Sequence, residues 1–263
     1  MAKFEDIHQN YLDKGPVAPD AFGGHKLYAV EGDLLVDELA LEDYARARAQ
    51  REAGVHDPDA REGLIAMTDA QGRIIRWRPG LTLTYAVRKG TFTTEERYNT
   101  AVAAIATATA GWASLCGVEF QHLQDLDTDL DPTGRCLFTV REVPQSGSVI
   151  AAAFFPDDPV WRRQVIIMPS FFSVAGFDPV GVLRHELGHV LGFRHEHILS
   201  NAPALCPDED LDNILPLTRY DPKSVMHYFC GGAGTTTLEF TQIDQEGVLA
   251  VYGPPHSRFT YFE

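Results

Sequence analysis

The run His185-Glu186-Leu187-Gly188-His189-Val190-Leu191-Gly192-Phe193-Arg194-His195 constrains this chain more than any other stretch. On a helix, side chains four residues apart share a face. His185 and His189 therefore aim two imidazoles at one place, with the Glu186 carboxylate beside them. A helix continued past Gly192 would carry His195 round and away. Glycine adopts a left-handed conformation at little steric cost, so Gly192 ends the helix and turns the chain back. A catalytic zinc ion takes three protein ligands and keeps a fourth position for water. His185, His189 and His195 are the candidate ligands of one such Zn2+ ion, and Glu186 is the candidate general base. An amphipathic core helix with surface histidines would share the i, i+4 pair. It would give no reason for the third histidine, the glutamate and the glycine to agree.

The elements around this motif read as an α+β domain. Asp178 suits an N-cap and Pro179 the first helical position of the metal helix. A second long helix is expected from Thr93, with Thr93 and Glu96 as a capping box. Its apolar face is Tyr98, Val102, Ile105, Thr109 and Trp112. Strands are expected at Leu27–Val30, Leu81–Val87, Val118–Gln121, Cys136–Glu142, Ser148–Phe155 and Val165–Met168. Leu64–Met67 and Arg73–Trp77 flank Asp69-Ala70-Gln71-Gly72 as a hairpin. Asp37–Ala53 is helical and ends at Gly54, and Thr241 caps a last helix through Tyr252. Residues 1–24, broken by Gly15-Pro16, Pro19 and Gly23-Gly24, read as a loosely ordered leader.

Composition narrows the function classes. The 263 residues carry a formal net charge of -15, and so acidic a surface repels phosphate backbones. No nucleic-acid partner is expected. No run approaches the roughly 20 apolar residues of a membrane span. The N-terminus MAKFEDIHQNYLDKG lacks an apolar core, so no cleavable signal peptide is expected there. Asp125, Asp127, Asp129 and Asp131 alternate as calcium ligands do, but the glycine and distal glutamate of an EF-hand are missing, and a solvated acidic loop is the plainer reading. Cys116, Cys136, Cys206 and Cys230 form no C-x-x-C pair, which leaves two disulfides or four thiols open. In an oxidising compartment the expected pairing is Cys206, which follows the metal helix, with Cys230, and Cys116 with Cys136, which precede neighbouring strands.

Ser224-Val225-Met226-His227-Tyr228 resembles the Met-turn that runs beneath the zinc in metzincins. His185 to His197, with Glu196 after the third histidine, resembles the astacin signature, and Tyr220 to Tyr228 is similar to the astacin Met-turn. The resemblance covers most of residues 77–253. It implies a zincin fold: a twisted, mostly parallel sheet with an antiparallel edge strand, two long helices, a C-terminal helix and a zinc cleft between subdomains. It also implies that Met226 floors the site and that Tyr228 is a fifth zinc ligand that swings away to stabilise the transition state. Glu196 would contact a mature N-terminus. Gly147–Phe155 and Phe240–Asp244 look closer to matrixins. Ile198-Leu199-Ser200 and the lack of a cysteine after Cys230 depart from astacins.

Val30-Glu31-Gly32-Asp33 resembles the Phe-x-Gly-Asp motif of astacin pro-segments, whose aspartate ligates the zinc, although Val30 replaces the aromatic. Residues 1–72 are therefore expected to be a pro-segment or regulatory extension, and 73–263 a metzincin catalytic domain, with Asp33 as the latent-state metal ligand. A surface turn after a strand is the competing reading of Glu31-Gly32-Asp33. The expected function is a monomeric zinc-dependent endopeptidase acting on peptide or protein substrates, made as a zymogen. The resemblance alone favours secretion, and the sequence leaves the compartment open. A zinc hydrolase of non-peptide substrates, a permanently latent zinc-binding protein and a structural zinc domain are the rivals.

Overall fold

Side chains alternate between the faces of a strand, so a strand apolar on both faces must be covered on both. Leu83, Tyr85 and Val87 belong to one buried cluster, while Ala86 between them belongs to another. Val165 and Ile167 are divided from Ile166 in the same way. The computed structural model shows why, and it describes residues 4–21, 24–51, 63–145, 149–173, 176–198, 203, 206 and 212–259. The expected helix end at Ala53-Gly54 and the start of the strand at Ser148 lie outside these residues.

The main sheet contains β5 (Thr82–Val87), β6 (Glu119–His122), β7 (Phe138–Glu142), β8 (Ala151–Ala152) and β9 (Gln164–Ile167). Its order is β6-β5-β7-β9-β8; the first four are parallel, and β8 pairs antiparallel with β9 at the edge. The expected class is an α+β domain; the structure is a mixed α/β arrangement in which the mostly parallel sheet and its antiparallel edge strand are present, although the edge strand is much shorter than the sequence suggests.

One face of this sheet carries α3 (Glu95–Leu115) and α4 (Pro179–Val190). Alanines at 101, 104 and 108 are buried on α3, and the Trp112 indole donates to the Arg184 carbonyl of α4 at 2.9 Å. Fully burying an isoleucine such as Ile105 contributes about 1.5–3 kcal/mol. The capping box expected at Thr93 is displaced. Thr94 is the N-cap and accepts from the Arg97 amide, while Thr93 is drawn to the buried Glu142 carboxylate at the end of β7. At the last helix, α5 (Gln242–Tyr252), Thr241 and Asp244 cap reciprocally, and Gly253 follows.

A second sheet sets β4 (Ile65–Met67) between β10 (Phe193–Arg194) and β11 (Ile214–Pro216), all antiparallel. The expected hairpin continues from β4, with Thr68 opposite Ile74. β10 is the return of the chain after Gly192, so this sheet fixes the path to His195.

The N-terminal region is not a loose leader. It folds as α1 (Phe4–Lys14), β1 (Ala18–Ala21), β2 (His25–Val30), β3 (Leu34–Val36) and α2 (Glu38–Arg51). The breakers Gly15-Pro16 separate elements instead of dissolving them. Ala18, Leu27 and Leu35 bury against Val143, Ala152, Ile166 and Met168, covering the second face of the main sheet. Tyr28, Val30, Leu34 and Leu41 make a small core of their own. Asp37 caps α2 through the Ala40 amide and also meets Arg162 at 2.5 Å.

Cys206 and Cys230 form the expected disulfide. The expected Cys116–Cys136 bond is absent, and both are buried free thiols. Cys116 closes α3 within the main core, whereas Cys136 packs with Ala86 and Leu126 on the other face of β5, so the sheet stands between them. The acidic loop also has a structural explanation: Asp127 is buried and accepts from the Val87 amide, the Tyr98 hydroxyl and His122. No helix among the described residues is long and apolar enough to cross a membrane.

Candidate metal centre

α4 begins where Asp178 accepts from the Val180 and Gly181 amides, each at 3.2 Å. It ends under two clamps: the Trp77 indole donates to the Val190 carbonyl and the Tyr252 hydroxyl to the Leu191 carbonyl, both at 2.7 Å. Gly192 has φ +91°, and a side chain there would meet the Ile75 carbonyl at 2.6 Å, so conformation and space both require glycine. The turn delivers His195 to the face that His185 and His189 already share.

Hydrogen bonds settle which ring nitrogens face inward. His185 Nδ1 lies 2.7 Å from the Val225 carbonyl, and His189 Nδ1 lies 2.8 Å from the Phe193 carbonyl. A carbonyl only accepts, so each Nδ1 carries the proton and each Nε2 presents a lone pair. His195 Nε2 is 3.0 Å from His189 Nε2 and 3.1 Å from His185 Nε2. The Asp33 carboxylate comes within 3.1 Å of His195, 3.2 Å of His185 and 3.5 Å of His189. All four residues are buried, and their ligand atoms fall within 4.8 Å of one another. Lone pairs crowded this closely repel unless positive charge lies among them. A tetrahedral zinc ion with bonds of about 2.0–2.1 Å holds its ligand atoms roughly 3.3 Å apart, which the group fits. Asp33 Oδ1 is buried without a hydrogen-bond donor, which also suits a metal ligand.

Without a metal ion, the surroundings shift the two buried carboxyls in opposite directions. Burial opposes ionisation of Asp33, yet the His195, His189 and His185 rings outweigh it and hold the carboxyl well below the usual range. Glu186 goes the other way: burial first, then the Asp33 charge, push it well above. Its Oε2 is buried and has no hydrogen-bond partner. Burial pushes His189 down to about 4, which keeps its imidazole neutral.

The floor beneath the rings is built from residues 224–226. A side chain at Gly188 would lie 2.2 Å from Met226 Sδ, so glycine lets the buried methionine press against the helix. Asp244 holds this segment, accepting from the Ser224 hydroxyl at 2.6 Å and the Val225 amide at 3.0 Å. In the sequence Asp244 stands out only as the end of the Phe240–Asp244 stretch, and nothing there signals this support. Buried Glu196 accepts from the Asp221 amide, and its own amide donates to the Met226 carbonyl at 3.0 Å, which ties the third-histidine segment to the floor.

The β2–β3 turn enters this centre. The Tyr228 hydroxyl donates to the Glu31 carbonyl at 2.7 Å, and its ring lies 4.3 Å from that of His195. Gly32 has φ +98°, and a Cβ there would sit 2.3 Å from the Tyr228 oxygen. The Leu35 amide donates to the Ala153 carbonyl, and the Ala153 amide to the Asp33 carbonyl, so β3 lies along the open edge beyond β8. Glu31 also pairs with Arg194 at 2.7 Å. The sequence does not signal that pair, because nothing local joins residues 163 positions apart.

No protein-family model matches the chain, and no curated protein is a significant match. Among solved structures, one described as the structure of myroilysin aligns with a TM-score of 0.47 and 16% identity, covering 72% of this chain and 98% of that one. So loose a likeness carries no functional argument, which rests on the geometry of the centre itself.

Proposed function

We propose that this chain is a zinc-dependent peptidase made in a latent state, with His185, His189 and His195 as the permanent ligands and Asp33 as a removable fourth. The observation that supports it is one cluster: three inward Nε2 atoms, a buried carboxylate that completes the set, and a second buried carboxylate, Glu186, left unpaired beside them. Bound zinc supplies Lewis-acid chemistry, polarising a carbonyl and acidifying a water. Glu186 takes the proton of the attacking water at its carboxylate and returns it to the departing amine. The Tyr228 hydroxyl, which grips the Glu31 carbonyl in the latent chain, donates to the scissile carbonyl oxygen as its charge grows. The Ala153 edge holds an extended peptide in place of β3.

The part of residues 1–72 that precedes β4 acts as the latency segment in this reading. β4 is enclosed between β10 and β11, so an activating cut belongs in residues 52–62, before β4. The closed set of three histidines and one aspartate also favours one rival, a structural zinc site, since such sites have four protein ligands. Glu186 separates the two. In a zinc-loaded chain carrying Asp33→Ala, adding Glu186→Ala should keep one zinc per chain and lower peptide cleavage about 100- to 10,000-fold. Zinc content and cleavage of a peptide library by mass spectrometry read both quantities. Cleavage at an undiminished rate would remove Glu186 as the base, and no cleavage by either protein would leave the structural reading.

A further inference from the structure

The N-terminal region meets the rest of the chain over two separate surfaces. At the cleft, the tip at residues 31–33 touches the histidines and Tyr228 through polar groups. On the second face of the main sheet, Ala18, Leu27 and Leu35 close over Val143, Ala152, Ile166 and Met168, and each of these residues is at most 3% exposed. Trp161 extends this patch and stacks on His25 at 4.3 Å between ring centres. Beside it, Arg162 donates to Asp37 at 2.5 Å.

A cut in residues 52–62 falls after α2, which ends at Arg51, and it removes none of these contacts. It changes only the tether: a linked segment faces its site at an effective concentration of about millimolar, and a severed one at its bulk concentration. Against that loss stands the apolar face. Separation would return both the leucines and the sheet strands to water. It would also leave residues 4–51 with only the small core of Tyr28, Val30, Leu34 and Leu41, and chains below roughly 60 residues are marginal on one core. Leaving therefore means unfolding as well as undocking.

We propose that the second face of the main sheet is a lasting interface for residues 4–51, so that the severed segment stays seated as a non-covalent subunit and keeps β3 on the Ala153 edge. The partner is this chain's own N-terminal region, recognised by two buried leucines, an imidazole stacked on an indole and a carboxylate on Arg162. The inference rests on the latency reading above for the cut, and on the sheet face for the contact. The cut is then the first of two steps, and access to the edge follows only when the seated segment is itself destroyed or displaced.

The test places a recognition sequence for a site-specific protease within residues 52–62 of the full chain, loads zinc, cuts to completion and applies size exclusion. Both pieces should elute together, and hydrogen exchange of the segment around Ala153 should stay within about twofold of the uncut chain. Asp33→Ala should leave the co-elution intact, because the sheet face and not the zinc carries the contact. Leu27→Ala should raise the rate at which the N-terminal piece leaves by about 30- to 1000-fold, and Leu39→Ala, which alters an exposed leucine of α2, should not. A severed parent whose N-terminal piece elutes apart, an Asp33→Ala chain that sheds it, or a release rate unmoved by Leu27→Ala overturns the interface and leaves the peptidase reading standing. Protection around Ala153 lost on cutting, with the pieces still together, overturns the seating of β3. None of these readouts needs peptide cleavage, so the peptidase reading fails separately, when zinc-loaded Asp33→Ala cleaves nothing.

Discussion

Two regions supply the candidate metal centre, and they are built by opposite means. Residues 179–195 are anchored as a fixture. Asp178 caps the start of α4, Trp77 and Tyr252 clamp its end, and Leu183, Leu187 and Val190 are fully buried in the main core. The tip at residues 31–33 is held by polar contacts to Tyr228, Arg194, Ala153 and the histidines, through backbone at φ 53° and 98°. Polar contacts can be exchanged for those of another ligand, whereas a buried apolar face has no comparable substitute in water. The base of the same hairpin is different again: Leu27 and Leu35 are buried against Ile166 and Met168 on the far face of the sheet. Fixture, lid and anchor are thus graded by how much apolar surface each buries.

The contrast can be broken at several points. The largest effect belongs to the fixture. His189→Ala removes a central ligand and should abolish both zinc binding and cleavage, and zinc should no longer raise the Tm as it does for the parent. Metal analysis and thermal unfolding with and without zinc check this. Next is Tyr228, which serves both regions. In the Asp33→Ala background, Tyr228→Phe should lower kcat about 10- to 1000-fold with little change in KM, as expected of a group acting on the transition state. Steady-state kinetics on one peptide decide it, and an unchanged kcat would make Tyr228 a packing residue of the lid.

The smallest effects come from two glycines that differ only in region. Gly32→Ala strains φ and drives a methyl into the Tyr228 hydroxyl, so it should loosen the tip and raise cleavage by the zinc-loaded full chain by about tenfold. Gly188→Ala drives a methyl into Met226 under the fixture, so it should cost about 1–3 kcal/mol of stability and give no gain in activity. Denaturant unfolding and the same cleavage assay compare them. Equal behaviour would mean that the tip is as much a part of the core as α4.

The fixture is legible in the sequence because its signals are local. Asp178, Pro179, the i, i+4 histidines and Gly192 each fix a dihedral or a cap within one turn of its neighbours. The lid is legible only through the likeness of Val30–Asp33 to a known motif, since the contact between Asp33 and His195 spans 162 positions. The anchor is legible only in part: the strand expected at Leu27–Val30 lies within β2, but its packing across the main sheet, and the helix before it, have no local signal. α1 has one buried side chain, Ile7, and too little periodicity to stand out against the Gly and Pro that follow it. Thr93 looks like the cap because Glu142, which claims it, lies 49 residues away. Cys116 and Cys136 look well placed to pair until the sheet that parts them is known.

The central claim is that one tip, through Asp33, closes a centre otherwise equipped for catalysis. The most direct measurement loads full-length parent and Asp33→Ala with one zinc each and follows cleavage of the same peptide library over time by mass spectrometry. The account predicts that Asp33→Ala cleaves at least about tenfold faster than the parent from the first time point, without any cut in residues 52–62. A parent that cleaves as fast as the variant while its chain stays intact would contradict it, and would leave residues 4–51 as an ordinary part of the fold.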